Sequence, residues 1–372
     1  MFYFLIGYPI VLALGWRGQR NPVAKDLSFT PRVSLVMAVH NGAAFLRSKL
    51  ETIFALDYPR ELIEIIVLSD GSTDETVAIA NEYSDRVQVI VGPRRGKAAT
   101  VNAGVERASG EIVFFTDVRQ PLDRMALRHL VANFADPKVG AVTGELKIGS
   151  EDKGQHADMD LYWRYEVWAR TQHSHIDSIF TATGCLYAMR RNLIEPVPAD
   201  TLSDDAYLPL RAFFRGYRVV FDPQAIAYDY PSADGTEFRR RCRTLGGLWQ
   251  LFARLPELFS SKNRMRFHFL SYKFSRLMLP WAVLMAIGAT LALPKSAFRE
   301  FMIAGYLAFA AIAIADRFVP RRIALKRLTS PAWTFLAMNA ASIAALAVFV
   351  RPPQRLWVAT QVETAGREST PI

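Results

Sequence analysis

Three stretches near the C-terminus, residues 277–293, 301–315 and 331–350, contain no Asp, Glu, Lys or Arg. A helix crosses the hydrocarbon of a bilayer with about 20 mostly apolar residues. Three such runs in series, with Trp281 and Trp333 as residues that favour the membrane boundary, predict three spans rather than core helices of a soluble domain. Residues 1–15 are also apolar, and Trp16, Arg17 and Arg20 follow them. A cleaved signal carries its basic residues ahead of the apolar stretch, so a retained N-terminal anchor over residues 1–16 is expected instead. Arg317, Arg321, Arg322, Lys326 and Arg327 crowd the loop between the last two runs. The positive-inside rule puts that loop in the cytoplasm together with Arg17, Arg20 and Lys25. Four spans then leave the central domain cytoplasmic and both termini outside.

The centre of the chain must therefore fold in water. Of 372 residues, 51% are apolar, enough for a buried core in addition to the spans. The net charge of +10 suits nucleic acid, an anionic membrane surface or a phosphorylated substrate. Cys185 and Cys242, far apart in sequence, support neither a disulfide framework nor a thiolate metal site.

Across residues 30–235, strand-like runs at 33–39, 63–69, 87–91 and 112–116 alternate with helical patterns at 43–55 and 74–83. That order predicts an α/β domain with a mostly parallel sheet. Residues 236–276 interleave Trp249, Phe252, Phe267 and Tyr272 with Arg254, Arg264 and Lys273, the pattern of helices lying in the membrane interface. Residues 351–372 form a tail.

Open α/β sheets bind ligands at the carboxyl ends of their strands. The second strand ends at Asp70, where Gly71 permits a sharp turn, and the fourth ends at Asp117. Two acids on one rim suggest a site, although either alone is ordinary turn chemistry. Asp117 suits a hard cation bridging diphosphate oxygens. Between them, Arg94 and Arg95 bring cationic donors toward phosphate, or form a solvated basic loop. A nucleic-acid partner accounts for the net charge but for none of these acids, and is not expected.

The motifs VSLVMAVHN, LSDGSTDET, RRGKAATVNAG, FFTDVRQPLD, YWRYE, TATGCLYAMRR and LSDDAYLPLRAFFRGYRVVFDP follow one another in this order. The series resembles the family 2 inverting glycosyltransferases of GT-A fold, the group that includes cellulose, chitin and hyaluronan synthases. The resemblance covers about residues 32–250. It implies a nucleotide pocket lined by Ala38, His40, Asn41, Asp70, Lys97 and Asp117, with Asp117 also the metal ligand for Mg2+ or Mn2+. It implies a UDP-sugar donor, and Asp205 as the base that removes the acceptor hydroxyl proton. Thr183, Gly184 and Asp204 fall on its acceptor side. Trp163, Tyr165 and Trp168 offer flat faces to sugar rings, or pack as core.

Two departures bear on function. The metal motif, Asp-x-Asp in the family, has Arg119 at its third position, which removes a ligand and adds a fixed cation for diphosphate. Processive synthases carry Gln-x-x-Arg-Trp where residues 240–244 read R-R-C-R-T. Arg240 and Arg243 remain as cations for the leaving diphosphate, while the missing Trp puts processivity in question. The implied protein is an integral enzyme of the bacterial inner membrane that extends a polysaccharide, with a second copy or a partner subunit completing any channel. A single-sugar transferase to a polyprenyl-phosphate or other lipid-linked acceptor is the second reading. A non-catalytic nucleotide- or glycan-binding membrane protein is the third.

Overall fold

The structure, a computed structural model, describes residues 3, 7–15, 21–148, 157–229, 237–320, 323 and 325–350. Trp16, Arg17, Arg20, Arg321, Arg322 and the tail 351–372, used above for topology and boundaries, lie outside the described residues.

Seven strands form one sheet: β1 (Val33–Val39), β2 (Ile63–Asp70), β3 (Gln88–Gly92), β4 (Ile112–Phe115), β5 (Val139–Ile148), β6 (Tyr187–Arg190) and β7 (Arg218–Asp229). Their order is β3-β2-β1-β4-β6-β5-β7. Neighbours run parallel except where β6 pairs antiparallel with β4 and with β5. The sheet is thus mixed and mostly parallel, with β1 to β4 where the sequence pattern puts them.

Alternate residues of β1 and β4 feed two apolar layers. Leu35, Met37, Ile112 and Phe114 enter one layer, while Val36, Val113 and Phe115 enter the other. Helices cover both faces, which explains why these strands read as continuous apolar runs rather than alternating ones. Each fully buried Leu, Val, Ile or Phe contributes about 1.5–3 kcal/mol. In β7, Asp222 pairs with Gly144 and Ile226 with Glu145, so residues 223–225 bulge out of the ladder. Pro223 sits in that bulge, where its missing N–H is tolerated.

Three helical runs, Arg266–Ala292, Ala297–Phe318 and Lys326–Phe349, are long and apolar enough to cross a membrane. Large side chains on them face outward, including Met285, Phe301 and Leu307. The described part of the N-terminal run is a seven-residue helix, Tyr8–Leu14, about 10 Å long and short of a bilayer span. Its Tyr8 and Leu12 are buried, with the Tyr8 hydroxyl 2.6 Å from His173 Nε2 and 2.9 Å from His268 Nδ1. Residues 236–276 contribute the helix Glu237–Arg254, which packs along the last apolar run, where Trp249 Nε1 donates to the carbonyl of Ser342 at 3.3 Å. Phe252, Phe269 and Tyr272 are buried, so this stretch is in part core.

Candidate active site

The ends of β1 and β2 meet at one edge of the rim. Asp70 is buried, and donors fill its carboxylate: the backbone N–H of Arg95 at 2.7 Å, that of Gly96 at 3.1 Å, and Arg94 Nη1 at 2.5 Å. Arg94 therefore serves the acid rather than reaching into open space. His40 Nδ1 donates to the Asp70 carbonyl at 2.9 Å. Asn41 adopts a left-handed backbone (φ 50°), and its Oδ1 accepts the Thr73 N–H at 2.8 Å, fastening the loop after β1 to the loop after β2. Ala38 lies half-buried on β1 near the same edge. Four residues expected to line the nucleotide pocket, Ala38, His40, Asn41 and Asp70, thus come together.

The 94–96 loop leads directly into the helix Lys97–Arg107. Lys97 Nζ lies 3.0 Å from Asp117 Oδ1, just past the end of β4, and 3.6 Å from Asp204 Oδ1. Burial alone would lower the Lys97 pKa, but the carboxylates of Asp117, Asp204 and Asp205 around it hold it above its ordinary value. One ammonium thus gathers three acids from distant parts of the sequence.

Asp204 and Asp205 open the helix Asp204–Phe214, where N-terminal carboxylates are favoured by the helix dipole. Tyr187 on β6 donates its hydroxyl to Asp204 Oδ2 at 3.3 Å. Burial raises the Asp205 pKa to about 7; Asp204 and Asp117 add to the rise, while Lys97 and Arg243 oppose it. A carboxylate so placed can accept a proton near neutral pH.

Glycines admit this geometry at two places. A Cβ on Gly184 would stand 2.9 Å from Asp205 Oδ2, and one on Gly247 would stand 2.2 Å from Ser203 Oγ. The first lets the Asp205 carboxylate lie close against the backbone at Gly184, and the second lets the helix Glu237–Arg254 approach the turn that carries the acid. Arg240 and Arg243 ride on that helix. Burial and the charge of Arg240 lower the Arg243 pKa, against the pull of Asp117 and Asp205.

Other expected residues sit differently. Arg119 Nη2 pairs with Asp229 Oδ2 on β7 at 2.7 Å, and Gln120 Nε2 reaches the same oxygen at 3.1 Å. In this arrangement Arg119 braces the sheet instead of facing Asp117. Thr183 Oγ1 donates to the Gly144 carbonyl at 3.0 Å and accepts Arg170 Nη1 at 3.1 Å, so it is tied into β5. Tyr165 and Trp168 pack against the core, ring centroids 5.9 Å apart. Both cysteines are free thiols. Arg170 and Tyr187 were not among the residues expected from sequence; Tyr187 falls within the TATGCLYAMRR segment, but nothing local marks its hydroxyl as a partner of Asp204.

Among the described residues, no group of three or more His, Cys, Asp or Glu could hold a metal ion. Asp117 has a side chain 37% exposed on the rim. Mg2+ and Mn2+ bind through one or two carboxylates when substrate phosphates and water complete the shell, so this donor fits such an ion in the presence of diphosphate.

Comparison with known proteins agrees with this geometry. The model of the family described as glycosyl transferase family 2 matches residues 34–197. A probable glycosyltransferase of Bacillus subtilis, YdaM, is 27% identical over 64% of this chain and 61% of its own length. The chain thus spans less than two thirds of that relative. The poly-beta-1,6-N-acetyl-D-glucosamine synthase of Staphylococcus aureus (strain COL) is 25% identical over 72% of this chain and 69% of its own. Among solved structures, the mannosyltransferase PcManGT from Pyrobaculum calidifontis, in complex with GDP-Man and Mn2+, superposes with a TM-score of 0.72. It is 25% identical, and the match covers 92% of this chain and 94% of that one. The chain therefore carries a family 2 glycosyltransferase domain built on the GT-A fold.

Proposed function

We propose that the protein is an inverting transferase that moves a sugar from a nucleoside-diphosphate donor to an acceptor at the membrane, with Asp205 as general base. The observation that carries this reading is the placement of Asp205: a carboxylate with proton affinity raised to near neutrality, grouped with Asp204, Asp117 and Lys97 and held close against the backbone at Gly184. Inversion needs one base to take the acceptor hydroxyl proton while that oxygen attacks the anomeric carbon opposite the leaving diphosphate. Asp204 stands beside it as a second acceptor-side acid. Lys97, Arg240 and Arg243 supply fixed positive charge for the departing diphosphate, and Arg119 joins them if the donor draws it from Asp229. Asp117 would hold Mg2+ or Mn2+, whose chemistry there is to neutralise charge on the diphosphate. Ala38, His40, Asn41 and Asp70 form the nucleotide end of the site.

The three apolar helices cross the bilayer in this reading, with the catalytic domain on the cytoplasmic side. The acceptor is a growing polysaccharide, in keeping with the similarity to the Staphylococcus aureus synthase. UDP is the proposed nucleotide of the donor; the likeness to a structure holding GDP-Man supports a second reading with a GDP-sugar.

A screen tests both. Purified protein in detergent is incubated with UDP-sugars and GDP-sugars, with Mn2+ or with chelator, and nucleoside diphosphate release and product mass are followed. Metal-dependent release from a UDP-sugar with a polymer ladder is expected. Release from GDP-sugars alone replaces the donor, and a single added sugar on a lipid replaces the acceptor. No hydrolysis or transfer with any donor overturns the enzyme reading.

A further inference from the structure

The helix Ala43–Phe54 buries Leu46, Lys49, Leu50 and Ile53 on one stripe. Three of the four are ordinary core residues. Lys49 is not: its side chain is 1% exposed, and burying an ammonium costs heavily unless its hydrogen bonds are met. Burial pushes its pKa down to about 7, and two acceptors meet its amino group in a particular place. Nζ donates to Thr116 Oγ1 at 2.8 Å and to the carbonyl of Gln120. Those two groups flank Asp117, so one amino group closes both ends of residues 116–120. Thr116 Oγ1 in turn donates to the Cys185 carbonyl at 2.8 Å. Cys185 follows Gly184, the residue against which the Asp205 carboxylate packs. A hydrophobic side chain would fill the stripe equally well, so packing alone gives no reason for a lysine there.

We propose that Lys49 is a positioning residue for the donor site, its buried amino group clasping the Asp117 loop and, through Thr116, fixing that loop against the segment beside Asp205. The inference rests on the reading of Asp117 as the residue that meets metal and diphosphate. Partners behind a metal-binding carboxylate set its orientation, and their loss typically costs about 10–100-fold in metal affinity or activity.

The experiment compares Lys49→Met with Leu50→Ala, a core change on the same helix. Donor KM, the half-saturating Mn2+ concentration and Tm are measured for each. Lys49→Met should raise both constants about tenfold. Leu50→Ala should lower Tm and leave both constants unmoved. A Lys49→Met protein that loses Tm alone, with both constants within about twofold of the parent, overturns the proposal. Should Lys49→Met not fold, Thr116→Val removes the bridging hydroxyl at nearly constant volume, and Thr116→Ser restores it. Weaker donor and Mn2+ binding in Thr116→Val with recovery in Thr116→Ser supports the clasp; no change in Thr116→Val sinks it. Asp117→Asn in the same assay separates the two levels. If it too leaves donor and Mn2+ constants unmoved, the reading of Asp117 itself fails; if it moves them while Lys49→Met does not, only the clasp fails.

Discussion

Asp70 and Asp205 stand on the same rim and are surrounded in opposite ways. Around Asp70 the neighbours are donors: two backbone N–H groups and the Arg94 guanidinium fill nearly all the hydrogen-bond capacity of one carboxylate. Around Asp205 the neighbours include two more acids, and burial with Asp204 raises its proton affinity to near neutrality. The first arrangement fixes a loop in place; the second suits the proposed exchange of a proton. Environment, not residue type, separates a binding acid from a base. Lys97 connects the two, because it follows the loop that Asp70 organises and ends among the acids that include Asp205.

Removing the first arrangement should have the larger effect on binding. Asp70→Ala deletes charge-assisted hydrogen bonds worth about 1.5–3 kcal/mol each, so donor KM should rise by about tenfold to hundredfold. Steady-state kinetics with varied donor checks it, and a donor KM unchanged with kcat reduced would show that Asp70 belongs with the chemistry instead.

A titration sharpens the other side. As the proposed base, Asp205 would act only when ionised, so turnover should climb with pH through a midpoint of about 7 and level off above it. Lys97 opposes the rise in the Asp205 pKa, so Lys97→Met should move that midpoint to higher pH. A midpoint that stays put or falls would separate Lys97 from the base. The smallest effect expected is for Tyr187→Phe, which removes a 3.3 Å hydrogen bond to Asp204 and should change kcat by about two- to fivefold. A larger loss would give Asp204 a greater part than Asp205.

Much of this was legible in sequence where signals are local. The parallel strands β1 to β4 are mostly apolar runs, with Asp70 closing β2 and Asp117 two residues past the end of β4. The later strands were harder, because β5 carries Gly140 and Gly144, and β7 bends around Pro223 at a bulge. Arg119 shows a second limit. Its place in a metal motif suggested diphosphate, but its partner Asp229 lies 110 residues further on, a distance no local pattern spans. Lys49 sits among apolar residues on one helix stripe, and only the folded structure shows its partners in the Asp117 loop. The N-terminal run reads as an anchor from hydropathy, and within its described residues Tyr8 and Leu12 are buried.

The most direct test is Asp205→Asn, assayed for sugar transfer and, separately, for nucleotide binding by calorimetry. A general base contributes about 10²–10⁴-fold, so transfer should fall by that factor while the nucleotide Kd stays near its original value. Turnover that survives the substitution, or transfer and nucleotide affinity lost together, would contradict the assignment of Asp205 as the base.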